Sequence, residues 1–128
     1  MYPEHLHYSK DHEWVSISDN IATYGITHHA QNQLGDVVFV ELPQVGSVVT
    51  QFQPCGVIES VKAVSDLFAP VSGKVVEVNE KLLDHLEKIN TDPYGEGWMV
   101  KVEAKDLLLQ LGELLRSPDY TKMIGEGA

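Results

Sequence analysis

Lys62 is the residue of this chain whose type and surroundings most clearly suggest chemistry. It lies in the run G-V-I-E-S-V-K-A-V-S-D-L-F-A-P-V-S-G, from Gly56 to Gly73, where β-branched residues flank it on both sides. This pattern predicts two short strands that meet at a tight turn, with Lys62 at or next to the tip. An amine held there is exposed, so another enzyme could acylate it. A plain solvated turn lysine is the alternative.

The immediate neighbours of Lys62 favour covalent modification. We assign the following residues to the hairpin context of the site: Glu59, Ser60, Val61, Ala63 and Asp66. Ser60 and Ala63 are small enough to let a modifying enzyme close on the amine. Acylation would remove one positive charge from a chain whose net charge is already −10, and would leave the two acids of the hairpin without that cation.

Length and charge limit the size of the core and disfavour several classes of function. A chain of 128 residues with 43% hydrophobic residues is long enough for one modest core, so we predict a single domain over residues 1–128. The net charge of −10 disfavours binding to nucleic acid and to anionic membranes, which need Lys and Arg. Such an acidic surface serves either solubility or attraction to basic patches on partner proteins.

Cysteine content and the N-terminus predict the compartment. The single Cys55 cannot form an internal disulfide, and its position between Pro54 and Gly56 suggests a buried thiol at a strand start. The first residues, M-Y-P-E-H-L-H-Y, contain neither a basic region nor an apolar stretch. We therefore expect a bacterial-type cytoplasmic protein, and a processed organellar form stays open.

The elements that position Lys62 are predicted to be mainly strands. Short apolar runs broken by turn residues fill the chain from Glu13 to Val49 and favour a compact sandwich or flattened barrel. In the later run K-V-V-E-V, strict alternation would place Val76 and Val78 on one face and Val75 and Glu77 on the other.

Helices are predicted only at the edges of this fold. The predicted segments are residues 28–33 with Thr27 as N-cap and Gly35 at the end, residues 82–88, residues 106–116, and residues 119–123, which follow Ser117 as N-cap and Pro118 at the first helical position. The leucines of residues 106–116 should form a stripe that packs on the sheet. The β core would then cover about residues 8–104, and the C-terminal helical segment about residues 105–124.

Motifs for metal, nucleotide or nucleophilic chemistry are missing. The six histidines show no C-x-x-C or H-E-x-x-H spacing, since His12-Glu13 lacks a second histidine four residues after the first. There is no G-x-S-x-G elbow and no phosphate-binding loop. An enzyme that uses Glu13 and His12 as acid and base is a weak alternative. The chain resembles something an enzyme acts upon rather than an enzyme.

Several motifs together carry a family resemblance. They are H-E-W at residues 12–14, G-I-T-x-x-A-Q-x-x-L-G-D at 25–36, E-L-P at 41–43, E-S-V-K-A-x-S-D at 59–66, P-x-S-G at 70–73, V-N-E at 78–80 and N-x-D-P-Y-G-x-G-W at 90–98. Over about residues 8–124 the chain resembles the H-protein family of the glycine cleavage system. That resemblance implies a barrel-sandwich hybrid of two small antiparallel sheets, of lipoyl type, with short C-terminal helices.

The resemblance also implies a cofactor, partners and a role. Lipoate would be in amide linkage to Lys62, attached by a lipoyl or octanoyl transferase or a lipoate ligase. The arm would accept the aminomethyl group from a pyridoxal-phosphate glycine decarboxylase and carry it to an aminomethyltransferase, and dihydrolipoamide dehydrogenase would reoxidise it. In the family the loaded arm folds into a cleft, whose residues correspond here to Glu13 and Gln33. Phe52 stands at a usual glycine position, and Gln33 replaces a histidine of some members.

Related carriers remain as alternatives. Biotin carriers usually have methionines on both sides of the lysine, where this chain has Val61 and Ala63. Lipoyl domains of 2-oxoacid dehydrogenase acyltransferases usually show D-K-A and lack the terminal extensions of this chain. An H-like protein that only relays octanoyl or lipoyl groups, without glycine oxidation, stays open.

Overall fold

Nine strands and a few short helices make up the fold, seen in a computed structural model that describes residues 1–125. The strands are β1 His7–Tyr8, β2 Glu13–Ser18, β3 Ile21–Ile26, β4 Val37–Glu41, β5 Val48–Val49, β6 Pro54–Ser60, β7 Val64–Phe68, β8 Gly73–Val78 and β9 Val100–Glu103. The helices are α1 His28–Leu34, α2 Glu87–Thr91, α3 Leu107–Leu111 and α4 Ser117–Met123, and a 3-10 helix covers Glu80–Asp84. None of the helices in this part of the chain is long and apolar enough to cross a membrane.

The strands form two antiparallel sheets. The larger sheet has the order β1-β2-β3-β9-β8-β5, and the smaller has the order β4-β6-β7. Their inner faces share one core, which includes Val15 and Tyr24 from the larger sheet and Ile58 and Leu67 from the smaller. This arrangement confirms the predicted fold class of two small antiparallel sheets, and it leaves the β6–β7 hairpin in the smaller sheet.

The face assignment predicted for β8 is wrong. The register of β8 against β9 shifts between Val75 and Glu77, because Val76 is inserted as a bulge. The bulge lets Val75 and Val78 both pack toward the core, whereas Val76 is exposed. Strict alternation had placed Val76 and Val78 on the same face.

The helix α1 follows the sequence prediction closely. Thr27 is the N-cap, and its hydroxyl oxygen accepts a hydrogen bond of 3.2 Å from the Ala30 N–H. The helix ends at Gly35, which has a φ of 76° and donates its N–H to the Gln31 carbonyl. Since only glycine adopts that conformation without strain, α1 ends where the sequence indicated.

The other predicted helices differ from the structure. Residues 82–88 do not form one helix, because His85 leaves the helical region and separates the 3-10 helix from α2. Residues 106–116 are helical only over α3, after which Leu115 pairs with Tyr8. Ser117 is the first residue of α4 rather than its N-cap, and its hydroxyl donates to the Tyr2 carbonyl at 2.6 Å. Helices this short are marginal alone, so tertiary contacts decide their limits.

The predicted leucine stripe is only partly correct. Leu107, Leu111 and Leu114 pack against the core. Leu108 and Leu109 are 88% and 78% exposed. The stripe is therefore narrow, and two leucines of this segment contribute little to the core.

Candidate functional site

The tip of the β6–β7 hairpin is a compact turn closed by Ser60. The Ser60 N–H donates to the Ala63 carbonyl at 2.8 Å. The Ser60 hydroxyl oxygen accepts from the N–H groups of Lys62 and Ala63 at 3.3 and 3.1 Å. Ser60, predicted only as a small neighbour, therefore also shapes the turn that carries Lys62.

Lys62 is exposed at this tip, and so are Val61 and Ala63 on either side of it, whereas Ser60 is buried. Val61 is 71% exposed. In residues 1–125 no ion pair within 4.0 Å joins Lys62 to Glu59 or Asp66, although both acids lie on the same hairpin. The Lys62 side chain passes over Gly35, where an added methyl group would lie 3.6 Å from Lys62 Cε. The amine is thus unpaired within the described chain.

A groove of about 380 Å³ lies between α1, β2 and the hairpin. Its lining comprises Asp11, His12, Glu13, Ile26, His29, Ala30, Gln33, Leu34, Ile58, Ser65 and Asp66. Both cleft residues expected from the sequence, Glu13 and Gln33, line it. Ile58 and Ser65 show that the strands carrying the Lys62 tip form one of its walls.

Glu13 is a buried carboxyl at the groove, with 2% of its surface exposed. Oε1 accepts a hydrogen bond of 2.5 Å from the Ser9 hydroxyl, and Oε2 accepts one of 3.4 Å from the Phe68 N–H. Burial raises the pKa of Glu13 to about 8, with a smaller contribution from the nearby Asp11 charge, although both hydrogen bonds oppose the shift. The carboxyl is therefore mostly protonated at neutral pH.

The comparison with known families decides the assignment. A sequence model described as Glycine cleavage H-protein matches residues 6–127. The chain belongs to the glycine cleavage H-protein family.

Individual members of the family are similar over nearly the full length. The chain is 54% identical to a glycine cleavage system H protein of Staphylococcus epidermidis, over 97% of this chain and 98% of the relative. It is 52% identical to that of Carboxydothermus hydrogenoformans, over 97% and 95%. The crystal structure of a glycine cleavage system H protein from Mycobacterium marinum has a TM-score of 0.89 and 43% identity, and covers 96% of this chain and 98% of that one. The predicted family and its fold are confirmed.

Phe52 stands where the family resemblance predicts a glycine. It has a φ of 67°, in the left-handed region that favours glycine. The turn before β6 thus has a backbone conformation that favours glycine, although a phenylalanine occupies it.

The groove places two histidines close together beside Gln33. Gln33 is exposed, one helical turn after His29 on α1. The rings of His12 and His29 are 4.8 Å apart, and His12 has a φ of 71°. Burial, and then the His29 charge, lowers the pKa of His12. Within residues 1–125 no three or more His, Cys, Asp or Glu side chains are placed to hold a metal ion.

Tyr120 is a groove-supporting residue that sequence reasoning missed. Its hydroxyl lies 2.8 Å from His12 Nδ1 and 2.8 Å from Thr27 Oγ1. It is fully buried and stacks on Tyr8 at 4.8 Å between ring centroids. Its partners are more than 90 residues away in sequence, so no local pattern indicates this contact.

Cys55 is a partly buried thiol, where a buried thiol had been predicted. Its sulfur lies 3.3 Å from the Tyr24 hydroxyl. Burial raises the pKa of Cys55 to about 11, so the thiol stays protonated at neutral pH. Such a group is a poor nucleophile.

Proposed function

We propose that this chain is a non-catalytic lipoyl carrier of the glycine cleavage system, with lipoate in amide linkage to Lys62. The observation that carries the proposal is the exposed Lys62 amine at a hairpin tip, next to a groove that contains the buried Glu13 carboxyl. Membership of the glycine cleavage H-protein family supports the pathway.

The residues around Lys62 fit a covalently attached group. Acylation of the amine would break no ion pair with Glu59 or Asp66. The turn is held by Ser60 through the backbone N–H of Lys62, so the side chain beyond its Cα is not needed for the turn. A groove of about 380 Å³ is within the range of small-ligand pockets.

When bound, lipoate supplies a dithiolane that can take up a one-carbon amine unit and a dithiol that can be reoxidised. The role of this chain's own residues follows from the groove. Glu13 is mostly neutral while no cation faces it, and a nearby ammonium group would favour its ionised form. The Ser9 hydroxyl and the Phe68 N–H already donate to that carboxyl and would stabilise its charge. We assign Glu13 as the counter-ion of an amine in the groove and Gln33 as a hydrogen-bonding residue at its edge.

The proposal includes partners and a location. The partners are the pyridoxal-phosphate glycine decarboxylase, the aminomethyltransferase, dihydrolipoamide dehydrogenase, and the lipoyl or octanoyl transferase or lipoate ligase that modifies Lys62. We expect a cytoplasmic protein with no role for nucleic acid or membrane. A net charge of −10 would favour basic surfaces on these partners.

Intact-mass measurement tests the modification site. Protein purified from its native source should carry a lipoyl or octanoyl adduct that is lost in Lys62→Arg. The matched control is Lys74→Arg, because Lys74 is also exposed but lies in β8. An unmodified wild-type lysine, or an adduct that persists in Lys62→Arg, would contradict the carrier role.

Glycine decarboxylation with purified partner enzymes tests the pathway. The reaction should require the lipoylated chain and should fail with Lys62→Arg. If the chain is lipoylated but supports no glycine decarboxylation, the H-like relay of lipoyl or octanoyl groups replaces this proposal.

A further inference from the structure

Asn90 lies outside the hairpin and outside the groove lining, yet its side chain forms hydrogen bonds with the segment that connects α1 to β4. Its Nδ2 donates to the Gly35 carbonyl at 2.8 Å and to Gln31 Oε1 at 3.1 Å. Its Oδ1 accepts from the Val37 N–H at 3.2 Å. One amide side chain therefore holds the end of α1, the turn after it and the start of β4.

The same connection supports the Lys62 tip. The Asp36 carbonyl accepts a hydrogen bond of 3.1 Å from the Val61 N–H. The Gly35 backbone lies under the Lys62 side chain. A methyl group on Gly35 Cα would lie only 3.6 Å from Lys62 Cε. The tip thus rests on residues 35–36, which Asn90 holds.

The remaining hydrogen bonds of the tip are internal to it. The bonds of Ser60 to the backbone of Lys62 and Ala63 fix the shape of the turn. They do not fix its position relative to the body of the protein. That position depends on the strand ladder to β4 and on the bond from Val61 to Asp36.

The turn that follows Asn90 and the end of α2 holds the other end of α1. The Tyr94 hydroxyl accepts from the His28 N–H at 2.9 Å, at the first residue of the helix. The turn folds tightly, since a methyl group at Gly95 would lie 2.4 Å from Asp92 Oδ2. The N-x-D-P-Y-G segment therefore holds α1, a groove wall, at both of its ends.

We propose that Asn90 is a positioning residue for the Lys62 tip. It fixes residues 35–37, on which the tip is anchored, and thereby sets how the amine is presented to a modifying enzyme. The second half of this inference rests on the proposed function, because it takes Lys62 as the modified amine. The first half concerns the unmodified protein alone.

Amide hydrogen exchange in the unmodified full chain tests the anchoring. Asn90→Asp keeps the size of the side chain but removes both donated hydrogen bonds. We expect the Val61 amide to exchange about five- to tenfold faster relative to the Ser60 amide of the same hairpin, as the loss of a buried hydrogen bond predicts. Asn90→Ser, which adds no charge, should give the same change and serves if Asn90→Asp does not fold.

Asn79→Asp is the matched control. Asn79 is buried, and its Nδ2 also donates to two carbonyls, those of Glu96 and Trp98, at 2.9 and 2.8 Å. It makes no hydrogen bond to the hairpin or to residues 35–37 in the described chain. The ratio of Val61 to Ser60 exchange should stay at the wild-type value. An unchanged ratio in both Asn90 variants, or an equal rise in Asn79→Asp, would overturn the anchoring.

Modification kinetics test the presentation of the amine. With a lipoate ligase, ATP and octanoate, Asn90→Asp should raise the KM for the chain about threefold or more at unchanged kcat, since a looser tip costs more to order on binding. Because the chain is the substrate of the ligase, a simple loss of folded protein would also raise the apparent KM, so the KM is calculated from the concentration of folded chain, measured by circular dichroism. An unchanged KM despite faster Val61 exchange would refute the role of Asn90 in presenting the Lys62 amine to the ligase. If wild-type Lys62 accepts no octanoyl group, the proposed function fails, while the exchange ratio still decides the role of Asn90.

Discussion

The Ser9 hydroxyl donates a 2.5 Å hydrogen bond to Glu13 Oε1, and the same Ser9 oxygen accepts the Glu13 N–H at 3.0 Å. The Ser9 N–H also donates to the Glu13 carbonyl, so the two residues close the loop that leads into β2. His12, inside this loop, has a φ of 71°. This backbone turns the Glu13 carboxyl inward, where burial raises its pKa to about 8.

The buried Glu13 should make stability fall as pH rises. Its native pKa of about 8 exceeds the ordinary value of 4.5, so the native state keeps a proton that the unfolded chain releases. Its stabilising contribution is complete below pH 4.5 and is lost as pH rises through 8. The expected slope in this window is up to about 1.4 kcal/mol per pH unit.

Chemical denaturation at several pH values, with Glu13→Gln as control, checks this slope. The free energy of unfolding of the wild type, minus that of the variant, should decrease steadily from pH 5 to pH 8. A difference that stays constant with pH would show that Glu13 does not hold its proton in the native state.

Gly35→Ala should destabilise the protein by about 1–3 kcal/mol, because Gly35 has a φ of 76° and ends α1. Gly46→Ala is the matched control, since its φ is 94° and a methyl group there would touch nothing within 4 Å. Both variants should lower the thermal midpoint. Only Gly35→Ala should also slow octanoylation of Lys62, at least about twofold, and an equal effect of both variants would disprove a specific link to the tip.

The stability of variants at position 52 should follow how readily each residue type adopts a left-handed backbone conformation. With a φ of 67°, the position should tolerate asparagine better than phenylalanine, and a β-branched residue worst. We expect Phe52→Asn to raise the free energy of unfolding by about 0.5 kcal/mol and Phe52→Val to lower it by about 1 kcal/mol. Urea denaturation measures both, and the reverse order would show that contacts of the phenyl ring dominate.

The contribution of each C-terminal leucine to the free energy of unfolding should depend on its exposure rather than on its spacing in the sequence. The double variant Leu108→Gln, Leu109→Gln should change the free energy of unfolding by less than about 0.5 kcal/mol, because both side chains are exposed. Leu114→Ala should cost about 2–3 kcal/mol, since Leu114 is 8% exposed and packs in the core. Equal losses would mean that the whole stripe is buried.

Local patterns predicted the elements whose information is local. The mirror-like run around Lys62 predicted a hairpin, and the structure has β6 and β7 with the lysine in the turn between them. Thr27 and Gly35 predicted the limits of α1, because an N-cap oxygen and a left-handed C-terminal residue act within one helical turn. The division into one domain over residues 1–128 stays a prediction, and residues 126–128 lie outside the described chain.

Patterns failed where distant contacts decide the conformation. The bulge at Val76 depends on how β8 meets β9, and the end of α3 depends on the pairing of Leu115 with Tyr8. Unlike α1, the helices α2, α3 and α4 have no side-chain cap, and helices this short gain too little from their own hydrogen bonds to set their limits. Their ends are therefore set by the surface on which they pack.

The sequence by itself determined Lys62 as the candidate for modification, its hairpin and the family. These depend on neighbouring residues and on motifs that are contiguous in the sequence. Only the tertiary structure decided that Glu13 is buried enough to hold a proton near neutral pH and that Gln33 shares its groove. It also decided that Asn90 holds the connection under Lys62. Burial and hydrogen bonding between residues far apart in sequence arise only when the two sheets pack together, so no local pattern carries them.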